Sequence, residues 1–302
     1  MFNKALIIAN PGSGGANADA LNAAVGRHAG AMELSLRRLN EGEDVETVAR
    51  RELPHKYDIA VAAGGDGTVS AVARVASDLR IPVAIAPMGT ANMLAQQLHI
   101  PGRIDEAMKL LQGESVVRHI DALEINGRRY FLNAGVGVSA RAVLDLPPTG
   151  KRLFGISAYV WMGIASSITF TPVPCTVSID EDSQQLRILD LSIINAGFQA
   201  RGQVPGFPRI EPDDGRLNVL TVWAPSASEY LAHLWRAFFL WRKVNPNVKW
   251  SVAEREVNIE CAKPTPVQAD GDIIGETPVT VRVVPSAVGI VVPSESMNQD
   301  VE

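Results

Sequence analysis

The stretch Ile59-Ala60-Val61-Ala62-Ala63-Gly64-Gly65-Asp66-Gly67-Thr68-Val69-Ser70-Ala71-Val72-Ala73-Arg74-Val75-Ala76 decides the fold of this chain. An apolar run of strand length passes through a glycine-rich turn into a segment where Val69, Val72, Ala73 and Ala76 recur at helical spacing. The run is apolar on both faces, as a parallel strand covered by helices on each side must be. The same unit occurs twice more. Lys4–Ala9 leads into Asn10-Pro11-Gly12-Ser13-Gly14-Gly15, and Ile81–Ala86 leads into Pro87-Met88-Gly89-Thr90-Ala91-Asn92. Strands alternating with helices imply a parallel sheet with right-handed crossovers.

Near residue 120 the texture changes. Val116–Glu124, Arg129–Asn133, Thr176–Ile179, Leu186–Asn195, Leu217–Trp223, Val257–Cys261 and Thr277–Val284 read as strands. Turn chemistry punctuates them at Asn126-Gly127, Glu181-Asp182-Ser183, Asp214-Gly215 and Gly271-Asp272, and Asn-Gly between Ile125 and Arg128 is a strong hairpin signal. Helical segments are expected near 154–170 and 226–243. The expected fold is therefore α/β: a parallel-sheet nucleotide-binding domain over 1–122, with 286–302 packing back on it, then an antiparallel β-rich domain over 123–285.

The 302 residues carry a formal net charge of -5, which argues against a broad phosphate-backbone-binding surface and so against nucleic acid as a partner. The two cysteines, Cys175 and Cys261, stand far apart in no metal-like spacing. They indicate neither a disulfide framework nor a zinc site, as suits a reducing cytosol. Met1–Asn10 reads as a buried strand without the marks of a signal peptide, so a cytoplasmic location is expected. From Leu153 to Ile179 no residue is charged, but glycine, serine and threonine dilute the run, and Pro172 and Pro174 break it. It reads as a buried or interfacial helix rather than a membrane span.

Each of the three glycine-rich turns ends a parallel strand, so all three line one edge of one sheet, where open α/β sheets bind ligands. Glycine lets main-chain N–H groups approach an anion closely, and the helix that follows presents its positive end to phosphate. No Gly-Lys-Ser/Thr follows the first loop and no Gly-x-Gly-x-x-Gly occurs, so neither the Walker nor the dinucleotide pattern applies. Phosphate would be cradled by amides and hydroxyls.

Asn10-Pro11-Gly12-Ser13-Gly14, Gly64-Gly65-Asp66-Gly67-Thr68 and Pro87-Met88-Gly89-Thr90-Ala91-Asn92-Met93-Leu94-Ala95 resemble the three ordered signatures of the diacylglycerol kinase catalytic family. That family includes sphingosine kinases and bacterial lipid kinases. The likeness continues through Asp213-Asp214-Gly215-Arg216-Leu217 to Gln268-Ala269-Asp270-Gly271 and so covers nearly the whole chain. It implies a two-domain, ATP- and Mg²⁺-dependent kinase with ATP and lipid meeting in the crevice. Under it, Asp66 and Gly67 face the ATP phosphates and magnesium, and Thr68 caps the following helix. Asn10, Ser13, Gly14, Gly64, Gly65, Gly89, Thr90 and Asn92 complete the nucleotide site. Asp214 matches a position that binds structural magnesium, and Asp270 the aspartate that accepts the substrate hydroxyl's proton.

Chemistry supports these roles separately. Phosphoryl transfer relies on positioning, on charge neutralisation by a hard cation that carboxylates hold, and on a base near the attacking hydroxyl. Three places depart from the family pattern: Ala71 and Arg74 after the second loop, Ala200-Arg201-Gly202-Gln203 before Asp214, and Asp272 after Asp270. Tyr230, Leu231, Leu234, Trp235, Phe238 and Trp241, with Arg236, Arg242 and Lys243, suit an interfacial patch as well as a packed helix. The expected partner is a lipid substrate at a membrane surface, reached by peripheral association, and a homodimer is compatible with the sequence. His28, His55, His99, His119 and His233 show no metal or triad spacing. Two alternatives share the fold: an NAD kinase, whose Asn-x-Gly-x-Leu-Gly-Phe-like stretch is not found here, and a catalytically silent lipid-binding protein.

Overall fold

A computed structural model describes residues 2–11, 18–28, 30, 32–54, 56–113, 115–145, 171–197, 208–223 and 248–295. The chain divides into two compact units, Met1–Asp121 with Ser286–Glu302, and Ala122–Pro285. The first contains β1 (Lys4–Ala9), α1 (Ala18–His28), β2 (Glu33–Arg38), α2 (Val45–Glu52), β3 (Ile59–Gly64), α3 (Asp66–Leu79), β4 (Val83–Pro87), α4 (Met93–Gln97) and α5 (Ile104–Lys109). β5 (Ser115–Ile125) leads into the second, with β6 (Arg128–Tyr130), β7 (Asn133–Gly137), α6 (Val138–Asp145), β8 (Val173–Ile179), β9 (Asp182–Ile188), β10 (Asp190–Ile194) and β11 (Leu217–Val222). β12 (Val248–Ala253), β13 (Glu256–Cys261), β14 (Pro266–Ala269) and β15 (Asp272–Glu276) follow, and β16 (Val279–Pro293) leads back to the first.

In the first unit the strand order is β2-β1-β3-β4-β16, each neighbouring pair parallel. Every residue of β3 and β4 is buried, which is the physical meaning of their two-faced apolar sequence. α3 buries Val69, Val72, Ala73 and Ala76. It ends at Arg80, which takes left-handed φ of 56° while the Ile81 N–H returns to the Ala76 carbonyl. Arg74 ties α3 to α2, because its Nε lies 3.0 Å from Glu46 Oε2 and both side chains are largely buried.

The second unit carries a sheet in the order β16-β13-β8-β9, to which the β5–β6 hairpin adds, and a second sheet in the order β12-β11-β10-β7-β14-β15. Its core joins Val177, Ile259 and Val281 of the first sheet to Val136, Ile193 and Val219 of the other, a sandwich of antiparallel layers. The Asn126-Gly127 hairpin is present, with φ of 53° and 74° and Ile125 opposite Arg128.

Several sequence readings are corrected. The strand read over 129–133 breaks at Phe131 and Leu132, whose N–H groups turn to the Asp270 carboxylate. The strand read over 186–195 divides at Leu189, because β9 and β10 belong to different sheets. The β8–β9 turn is Asp180-Glu181, one residue early, and the β14–β15 turn is Asp270-Gly271. β2, β12, β14 and β15 are strands that the sequence pattern does not announce: β2 alternates charge on a half-exposed edge, and β14 and β15 are short. The strand starting near Thr277 runs on past Pro285 to Pro293. Cys175 and Cys261 face each other across β8 and β13 with Cα atoms 4.0 Å apart and form a disulfide. Their separation of 86 residues hid a direct strand pairing. The helices expected near 154–170 and 226–243, and Ala200–Gln203, lie outside the described residues. Among the described residues no helix is long and apolar enough to cross a membrane.

Candidate functional site

Strand order in the first unit reverses between β1 and β3, and ligands of open α/β sheets bind outside the carboxyl ends of strands at such a switch point. Asn10 follows β1 there, and its N–H reaches the Ala63 carbonyl at 3.0 Å. Its Nδ2 donates to Thr68 Oγ1 at 3.2 Å, bridging the switch. A Cβ on Gly64 would meet the Thr68 side chain at 2.5 Å, so glycine at 64 makes room for this bridge. Thr68 is therefore not the helix cap: Gly65 is, with no side-chain hydrogen bond, and Thr68 lies buried in the first turn of α3. A cap without a side-chain acceptor suits a helix end whose amides meet an external anion.

The loop after β4 lies against the loop after β3. Met88 N–H donates to the Gly64 carbonyl at 2.9 Å, and a Cβ on Gly65 would lie 3.3 Å from Gly89 Cα. Asn92, at φ of 46°, closes the second loop on itself: Gly89 N–H donates to its Oδ1 at 2.9 Å and its Nδ2 donates to the Gly89 carbonyl at 2.8 Å. Leu94 N–H approaches Asp66 Oδ1 at 3.4 Å. Gly67 and Thr90 are exposed and Asp66 half-buried. The structure thus brings Asn10, Gly64, Gly65, Asp66, Gly67, Thr68, Gly89, Thr90 and Asn92 to one sheet edge, while Ser13 and Gly14 lie outside the described residues.

A half-buried carboxylate beside glycine amides fits a magnesium ion that arrives with phosphates, since that ion keeps several waters and takes only one or two protein carboxylates. Asp214 is different. It is exposed, and its Oδ1 accepts the Arg216 N–H at 2.9 Å, closing a turn before β11. Among the described residues no group of three or more His, Cys, Asp or Glu side chains is gathered to hold a metal.

In the second unit Asp270 opens the β14–β15 turn at φ of 49°, followed by Gly271 at 83°. Its Oδ2 accepts the Phe131 N–H at 3.0 Å, and Oδ1 accepts those of Leu132 and Asn133 at 2.9 and 3.2 Å. Three main-chain donors fix the plane of this carboxylate. Sequence reading assigned no role to Asn133 or Gln268 beside it, nor to Asp190 at the start of β10. Asp190 is buried, and burial pushes its carboxyl above the usual aspartate range, opposed by hydrogen bonds from the Ser139 N–H and the Ser192 hydroxyl. The signal for Gln268 and Asp190 is a polar side chain within an apolar strand, which by pattern alone is indistinguishable from an edge position.

The chain matches the Diacylglycerol kinase catalytic domain family over residues 4–125 and the YegS C-terminal NAD kinase beta sandwich-like domain over residues 133–292. A protein of Stenotrophomonas maltophilia (strain K279a) named "Probable lipid kinase YegS-like" is 32% identical over 212 residues, covering 67% of this chain and 68% of that protein. A Synechocystis protein is 28% identical across 78% of this chain, which spans 55% of that longer protein. The crystal structure of a diacylglycerol kinase from Bacillus anthracis str. Sterne superposes with a TM-score of 0.71 at 20% identity, covering 96% of this chain and 97% of that one, a likeness of fold.

Proposed function

Because this chain belongs to the diacylglycerol kinase catalytic-domain family, with the YegS-type β sandwich, we propose that it transfers the γ-phosphate of ATP to the hydroxyl of a diacylglycerol-like or sphingoid-like lipid. The observation carrying this reading is the contact between the loops after β3 and β4 beside the switch point, two glycine backbones in van der Waals reach with a carboxylate beside them. Such a surface offers main-chain amides and little side-chain bulk, which suits a polyphosphate. Asn10 and Thr68 orient the loop, Asn92 holds the Gly89 turn in shape, and Asp66 holds the magnesium ion. Bound there, that ion would neutralise charge on the phosphates. In the second unit Asp270, held in plane by three amides, accepts the proton of the attacking hydroxyl, help typically worth about 10²–10⁴-fold in rate. Asp214 is proposed as a second magnesium position on the family likeness alone.

The aromatic and basic side chains between Tyr230 and Lys243 support peripheral, reversible contact with a lipid surface. Vesicle flotation of the protein with Trp235→Ser and Trp241→Ser tests this; unchanged binding would reject the patch. The reaction itself is tested with labelled ATP and Mg²⁺ against diacylglycerol, ceramide, sphingosine and phosphatidylglycerol. Label should enter one of these lipids, and the absence of transfer to any would overturn the reading. Formation of NADP from NAD and ATP would replace it with the NAD kinase alternative.

A further inference from the structure

The second unit holds a carboxylate built like Asp270 at a place with no proposed chemistry. Asp180 opens the β8–β9 turn at φ of 51°, and its carboxylate accepts the N–H groups of Glu254, Arg255 and Glu256 at 2.8, 2.9 and 3.0 Å. The correspondence extends to the main chain. Asp180 N–H donates to the Glu256 carbonyl and Asp270 N–H to the Asn133 carbonyl, both at 2.9 Å. Ile179 then pairs with Val257 as Ala269 pairs with Ala134. A three-amide cradle is thus a device this sandwich uses to anchor a hairpin, and the cradle by itself does not mark catalysis.

The two hairpins differ two residues upstream. Ser178 stands before Asp180 and bonds Ser183 across its own hairpin at 3.1 Å. Gln268 stands before Asp270, buried, and bonds both halves of the cradle: Nε2 donates to Asn133 Oδ1 at 2.8 Å, and Oε1 accepts the Gly271 N–H at 3.2 Å. The β14–β15 register shifts between Val267 and Gln268, passing over Ile274 of β15. Gly135, opposite Gln268, leaves the space: a Cβ there would lie 3.2 Å from Gln268 Nε2.

We propose that Gln268 is a positioning residue, a strap between the Asn133 strand and the Asp270-Gly271 turn that holds Asp270 for the transfer reaction more rigidly than folding of the hairpin needs. The inference rests on the reading of Asp270 as the hydroxyl's proton acceptor.

The test uses the full chain and compares Gln268→Leu and Gln268→Glu with wild type. Amide hydrogen exchange at Phe131, Leu132, Asn133 and Gly271 is followed, with Glu254, Arg255 and Glu256 as reference amides in the same molecule. Gln268→Leu should raise exchange at the first group about tenfold or more and leave the reference group unchanged. Gln268→Glu, which keeps an acceptor for the Gly271 N–H, should restore part of that protection. In the lipid-phosphorylation assay, Gln268→Leu should lower kcat about tenfold with KM for ATP unchanged. Wild-type exchange at the four amides in folded Gln268→Leu would overturn the strap, as would a wild-type kcat in that variant. If wild type phosphorylates no lipid, the proposed function fails while the exchange result still decides the strap.

Discussion

Gly65 and Gly89 pack main chain against main chain: a Cβ on Gly89 would lie 2.5 Å from the Gly65 Cα and 2.8 Å from Asn92 Oδ1. Two loops that follow different strands thereby form one continuous backbone surface. Any side chain at 89 would push the loops apart.

Gly89→Ala should therefore cost about 1–3 kcal/mol of stability by overpacking. It should also weaken Mg·ADP binding by at least about tenfold, because the amides of the two loops would no longer converge. Thermal unfolding and titration calorimetry measure the two effects. Wild-type nucleotide affinity in the folded variant would contradict the assignment of this surface.

Asp66→Asn retains size and the acceptor facing Leu94 N–H but loses the charge. ADP affinity should fall by about tenfold or more in the presence of Mg²⁺ and change little in its absence, since carboxylate is the ligand the ion prefers. An equal loss in both conditions would assign Asp66 to loop structure instead.

Asp180 and Asp270 provide a matched pair. Either change to Asn puts an amide N–H toward main-chain donors and should cost about 1–3 kcal/mol. Asp270→Asn should also lower lipid phosphorylation about 10²–10⁴-fold while nucleotide still binds. Asp180→Asn should leave turnover per folded molecule unchanged. Equal activities in the two variants would make Asp270 a hairpin anchor only.

Asp190, at the start of β10 with its carboxyl against the first turn of α6, sets a pH dependence. Burial raises its folded value above the unfolded value of about 3.9. Its contribution to stability is complete below that pH and is lost as pH rises through the raised folded value. Asp190→Asn keeps an oxygen for the Ser139 N–H without the charge, so its melting temperature should gain on wild type as pH rises above about 3.9. Asp180 runs the opposite way. Burial acts to raise its value, but the three amide donors outweigh burial and hold it below the usual range. Its stabilisation is present above about 3.9 and is lost as pH falls through the depressed folded value. A pH-independent difference for Asp190→Asn would refute the burial effect.

Cross-linking β8 to β13 through Cys175 and Cys261 closes a loop spanning 86 residues in sequence. Loop-closure entropy then sets an upper bound of about 4–5 kcal/mol on the stabilisation lost when the bond is reduced. Urea unfolding with and without a phosphine reductant should show the reduced protein at a lower midpoint. Two titratable thiols in the native, unreduced protein would show that the bond does not form in solution.

The glycine-rich turns after β3 and β4 and the helix after β3 were legible in the sequence because their determinants are local. Two-faced apolar runs, glycines at strand ends and Val69, Val72, Ala73 and Ala76 at helical spacing each act within a turn or two of chain. The same locality identified the Asn126-Gly127 hairpin. What tertiary structure alone decided are contacts between distant segments. The Asp270 carboxylate meets amides 137 to 139 residues away, Gln268 reaches Asn133 at a separation of 135, and Arg74 finds Glu46 at 28. A hydrogen bond or a disulfide depends on where two segments end up, and strand register sets that. Asp270, Gln268 and Asn133 lie in or beside strands whose pattern does not reveal which neighbour they will meet, and only the sandwich brings them together, as helix packing does for Arg74 and Glu46.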